Sequence, residues 1–177
     1  MKKAQEIPIP ENSLLYGRTF DFSDCFEVAL SEDAPEHDVL DVAKALFQAA
    51  PSWVGGLMWL RNRIVSLVGL KTGEGEEDLE TILANFNGEV GDAISLFKVV
   101  ERSPNEIVFS EKDKHLDFWM GLMLDQSKQP NTILATTTVN LNNWMGKTYF
   151  AIIKPFHKLV VQSMLNRAAN YLNHDQT

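Results

Sequence analysis

The chain predicts an α+β fold: a curved antiparallel sheet wrapped on a long C-terminal helix, with two helices after the first strand. Three observations carry this. Apolar and polar residues alternate through successive segments between Phe97 and Leu141, the period of strands with one buried face. Apolar residues recur at spacings of three and four after Asp38 and again from Phe156 to Tyr171, the period of helices. Turn-forming residues separate these segments. The 177 residues suffice for one complete core. They divide into an N-terminal arm, residues 1–13, and a single domain, residues 14–174.

The arm carries Pro8 and Pro10 and reads as extended. From Arg18 to Leu30 the residues Phe20, Phe22, Phe26, Val28 and Leu30 mark a first strand, interrupted by the turn-like Ser23-Asp24, where a bulge or break is expected. The acidic stretch 31–37 contains Pro35 and forms a loop. Asp38 then caps a helix running to about Ala50, with Val39, Val42, Ala43, Leu46 and Phe47 on one stripe. Pro51 ends it, and Ser52 is the expected N-cap of a second helix from Trp53 to Leu70. Arg61, Asn62 and Arg63 stand in the middle of that helix, where charges would be costly in a membrane span. It is read as an amphipathic helix packed on the body of the protein, with a membrane-surface helix as the alternative.

An acidic connector, residues 71–78, leads to a short helix over 79–86, and Asn87-Gly88 and Gly91-Asp92 supply turns before the sheet resumes. A hairpin about residues 127–130 pairs Leu116 with Leu141, Phe118 with Val139, Met120 with Thr137, Leu122 with Ala135 and Leu124 with Ile133. All ten then point to one side, and His115, Asp117, Trp119, Thr136, Thr138 and Asn140 to the other. That is an antiparallel sheet with one buried face. A hairpin through residues 111–114 places Phe109 opposite Leu116 and Ile107 opposite Phe118. A tighter one at 103–105 brings Val99 beside Phe109. Phe97, Val99, Ile107 and Phe109 thereby join the same concave face. Phe156, Leu159, Val160, Met164, Ala168 and Tyr171 form the stripe expected to cover it, with a separate turn or helix over 144–154 ahead of Pro155.

Composition narrows the function. A net charge of -8 argues against a nucleic-acid partner. The lone Cys25 allows no internal disulfide and no thiolate cluster for a metal, and a cytoplasmic setting is expected. The first residues lack the apolar core of a secretory signal, and stable membrane insertion is not expected. No Walker loop, dinucleotide fingerprint, HExxH, Ser-His-Asp set or zinc spacing occurs, and no cofactor or metal is expected.

Three stretches carry a family resemblance: Ala49 to Thr72 with Pro51, Trp53 and Arg61; residues 113–118 (DKHLDF); and Gly146 to Leu165 with Tyr149, Lys154, Pro155, Phe156 and His157. Together the chain resembles, from about Leu14 to Ala169, bacterial proteins catalogued only as a domain of unknown function. These are sometimes fused behind NAD(P)-binding short-chain-reductase-like domains. The resemblance implies a helix-grip fold, similar to START lipid-transfer domains and polyketide cyclases. It implies little chemistry.

The expected function is non-catalytic binding of a small apolar molecule or lipid between sheet and helix. The expected lining is Trp53, Trp59, Phe97, Phe109, Phe118, Met120, Leu122, Tyr149 and Phe156, with Arg61 as an anion contact at the mouth. The alternative is a cyclase- or hydrolase-like enzyme using a His115–Asp117 pair, whose residues share a strand face because they lie two apart. Their place on the polar face favours a structural role. A third reading is an interaction module for a separately encoded reductase. The oligomeric state is left open by the sequence.

Overall fold

The computed structural model describes residues 3–50 and 78–174. The expected second helix, with Trp53, Trp59, Arg61 and Arg63, lies outside the described residues. Seven strands form one antiparallel sheet: β1 (Gln5–Glu6), β2 (Phe22–Ala29), β3 (Ala93–Ile94), β4 (Phe97–Arg102), β5 (Glu106–Lys112), β6 (Leu116–Asp125) and β7 (Thr132–Leu141). Their order across the sheet is β1-β2-β7-β6-β5-β4-β3. The helices are α1 (Val39–Gln48), α2 (Leu79–Asn85) and α3 (Trp144–His174).

The β6–β7 pairing matches the alternation residue for residue, from Leu116 with Leu141 to Leu124 with Ile133. Val99 pairs with Phe109 as expected. The β5–β6 register differs: Phe109 faces Met120 and Ile107 faces Leu122. Glu111 and Lys112 look like turn residues but continue the strand, and the turn falls at 113–116, closed by Asp113 N–H to the Leu116 carbonyl at 3.0 Å. The displacement is an even number of residues, so every side chain keeps its face.

Further corrections concern β2 and the C-terminal helix. No bulge interrupts β2, which pairs with β7 in one continuous register; the irregularity sits in β4, between Val99 and Glu101. Asp24 stays in phase with Phe22, Phe26 and Val28 and points inward. Pro155 does not divide the C-terminal region, because α3 is one helix with that proline inside it. Its inward stripe contains Val161, Met164, Leu165, Ala168, Ala169 and Leu172. Phe156 is 50% exposed, Leu159 60% and Tyr171 44%, so those three members of the expected stripe do not cover the sheet. The helix is turned so that His157, not Phe156, meets β2.

α1 is held as its sequence suggests. Asp38 and Asp41 form a reciprocal capping box, and Val39, Val42, Ala43, Ala45 and Leu46 are buried. Together with the C-terminal half of α3, this helix covers one end of the concave face. His37 Nε2 meets the Leu172 carbonyl at 2.8 Å, and Asn173 Oδ1 accepts from Ser31 N–H at 2.8 Å, tying the loop before α1 to the end of α3.

The convex face is not simply solvated. Residues 132–139 of β7 are buried along both faces. Ile7 and Ile9 of the arm pack on Cys25, Met123 and Leu134, while Leu15 and Ser13 are buried beside Glu106. Gly121 makes this possible: a Cβ there would come within 2.5 Å of Glu106 Oε1 and 3.2 Å of Leu15 Cδ1. The expectation of a single buried face fails because the arm brings its own apolar residues to the other one.

Candidate functional site

The concave face divides along β6. Its second half, Gly121–Asp125, is buried throughout, whereas Leu116–Met120 are only half buried. Aligned strands place their inward residues in rows across the sheet. Phe22, Val139 and Phe118 form one row, and Asp24, Thr137, Met120 and Phe109 form the next. Further in, Phe26, Ala135, Leu122 and Ile107 are all buried. The half-buried inward residues, Phe22, Phe118 and Met120, therefore fall in the first two rows.

Aromatic rings dominate those rows. Phe118 lies 5.8 Å from Phe97 between ring centroids, and Phe97 lies 5.7 Å from Phe47 of α1. On the other side Phe22 lies 4.9 Å from Phe150 and 6.1 Å from the His157 ring. The Lys154 ammonium stands 5.0 Å above the Phe22 ring, a cation–π arrangement. Lys154, His157 and Lys158 lie mid-helix, and Lys158 binds the Glu6 carboxylate of β1 at 2.8 Å.

One polar pair lies inside this apolar frame. Asp24 Oδ1 meets His157 Nε2 at 3.3 Å, with the Asp24 side chain 1% exposed. Asp24 Oδ2 is buried and has no hydrogen-bond partner among the described residues. Sequence reasoning missed this pair because Ser23-Asp24 resembles a turn and His157 sits among lysines. The usable signal was period two: Phe20, Phe22, Asp24, Phe26, Val28 and Leu30 alternate without a break.

The other expected residues are distributed as follows. Phe109 and Leu122 are fully buried core, Phe109 stacking on Phe86 at 5.9 Å. Phe97, Phe118 and Met120 are half buried at the open rows, and Tyr149 is half buried on α3. Phe156 is turned away. His115 and Asp117 do not bond each other. The His115 ring meets the Asn143 side chain, Asn143 Oδ1 caps α3 by accepting from Gly146 N–H at 3.0 Å, and Asp117 Oδ1 accepts from Asn142 Nδ2 at 3.3 Å. Gly146 is required at this corner, since a Cβ would overlap the His115 carbonyl.

A family model described as "Protein of unknown function (DUF2867)" matches residues 17–164. The chain belongs to that family. The DUF2867 match spans both Asp24 and His157 and the open rows around them. No curated protein and no solved structure matches the chain. Among the described residues, no helix is long and apolar enough to cross a membrane.

Proposed function

We propose that the chain holds a small apolar or amphipathic molecule between the concave sheet face and α3, in a helix-grip arrangement of the kind its sequence resembles. The carrying observation is the graded burial of β6: the strand is sealed from Gly121 onward, while Leu116, Phe118 and Met120 keep partial exposure on an inward, aromatic face. Ligand sites are concave and mostly apolar, with few polar groups to orient the guest. Phe22, Phe97, Phe118 and Phe150 provide the first property, and Asp24 with His157 the second. Binding is preferred to catalysis through His115 and Asp117, because both have partners at the Asn142–Asn143 corner.

Native mass spectrometry of freshly purified protein should detect a co-purified lipid-like mass. Titration with the apolar fluorophore N-phenyl-1-naphthylamine should give saturable binding. Phe118→Asp should weaken it by about tenfold or more, while Lys98→Ala on the opposite face leaves it unchanged. Absence of saturable binding in the folded wild type would end this reading.

A further inference from the structure

We infer that Asp24 is the head-group receptor of this site and takes a hydrogen-bond donor of the ligand, a hydroxyl or an ammonium, on its Oδ2 atom. The inference rests on the binding reading above and goes further by specifying the ligand's polar chemistry.

Buried carboxylates normally have both oxygens bonded, because an unpaired one in a low-dielectric interior is costly. Glu106 satisfies that rule, accepting from Ser13 Oγ at 2.9 Å and from Leu14 N–H at 2.6 Å; Asp113 Oδ1, at the β5–β6 turn, lacks a partner among the described residues. Asp24 also departs from it. His157 meets Oδ1, and Oδ2 has no partner among the described residues; Phe22 and Phe26 flank Asp24 on its own strand face and Thr137 is its partner on the next strand. The inward phase of β2 leaves the Asp24 side chain 1% exposed. An inward carboxylate with one free oxygen, in a row with half-buried Met120 and beside a row of aromatic rings, suits a guest with an apolar body and a donor tip. A carboxylate or phosphate head would meet like charge there. Of the described cations on α3 near it, Lys154 lies over the Phe22 ring and is exposed, and Lys158 is paired with Glu6.

The test uses four probes of equal chain length, 1-decanol, decylammonium, decanoate and decyl methyl ether, each displacing N-phenyl-1-naphthylamine from the full chain. The alcohol, the ammonium or both should displace the fluorophore at concentrations about tenfold lower than the ether and decanoate. Which of the two does so identifies hydroxyl or cation as the natural head. Asp24→Asn should abolish that preference while the ether's affinity stays within about twofold. His157→Gln, which keeps a donor for Oδ1, should retain it, and thermal melts establish that each variant is folded. Should Asp24→Asn not fold, retention of the preference in His157→Gln and equal weakening of all four probes in Phe118→Ala carry the test. Equal displacement by all four probes, a preference for decanoate, or a donor preference surviving in folded Asp24→Asn would overturn the head-group assignment and leave the binding reading standing. No displacement by any probe, with the fluorophore itself unbound, would overturn both.

Discussion

The two halves of β6 are covered differently, and two of the buried carboxylates, Glu106 and Asp24, repeat the difference in polar form. At the sealed half, Glu106 lies opposite Met123 and has both oxygens bonded, by Ser13 and Leu14. At the open half, Asp24 shares a row with Met120 and has one oxygen bonded. The sealed half is built for stability: apolar side chains interlock and every buried charge is answered. The open half lacks both properties. Departures of this kind concentrate where a protein does something other than fold.

The largest test of this contrast is truncation. Phe109→Ala, at the sealed end, should cost about 3–5 kcal/mol in urea unfolding, because the cavity left among Phe47, Phe86 and their neighbours cannot collapse. Phe118→Ala, at the open end, should cost less than about 2 kcal/mol. Equal costs would erase the distinction.

The carboxylates give the next test. Glu106→Ala strands the Ser13 hydroxyl and the Leu14 N–H and should cost about 3 kcal/mol. Asp24→Ala removes a half-bonded buried charge and should cost under about 1 kcal/mol. A larger loss at Asp24 would make it a structural anchor instead of a receptor.

Glu106 also makes a pH prediction. Burial raises its pKa above the ordinary 4.5, against the lowering effects of the Leu14 and Ser13 hydrogen bonds and of Arg18. The folded state therefore holds this proton more tightly than the unfolded chain. The stabilisation is complete below 4.5 and is lost as pH rises through the raised value. Relative to Glu106→Gln, the wild type should lose stability on going from pH 4 to neutral; a difference independent of pH would show that the arm's hydrogen bonds cancel the burial cost.

The smallest effect concerns Cys25, on the convex face under Ile7 and Ile9. Burial pushes its thiol up to about 11, and Thr136 Oγ1 lies 3.3 Å from the sulfur. At pH 8 its reaction with a disulfide reagent should be about 100-fold slower in the native protein than in denaturant. Fast native labelling would show that the arm leaves the sheet readily, which would make the convex cover looser than the sealed half of β6.

Much of the architecture was legible in the residues. Strict alternation in 116–124 and 133–141 predicted the β6–β7 register, and Asp38 announced the start of α1. Of the residues expected to line a site, Phe97, Phe118 and Met120 are half buried on the inward face, whereas Phe156 is turned away, and Asp24 and His157 went unrecognised as a pair. The error at Phe156 is instructive. A helix with apolar residues on several sides offers more than one stripe, and hydrophobicity alone favours the bulkiest.

By itself, the sequence determined periods and boundaries: which residues alternate, where helices are capped, where turns interrupt the chain. These follow from backbone geometry and neighbouring side chains. Tertiary structure alone decided which polar groups went inside. His157 meets Asp24 across 133 positions, and Ser13 meets Glu106 across 93. Whether a charge is tolerated in an interior depends on the partner it finds there, and that partner is supplied by folding, not by its neighbours in the chain.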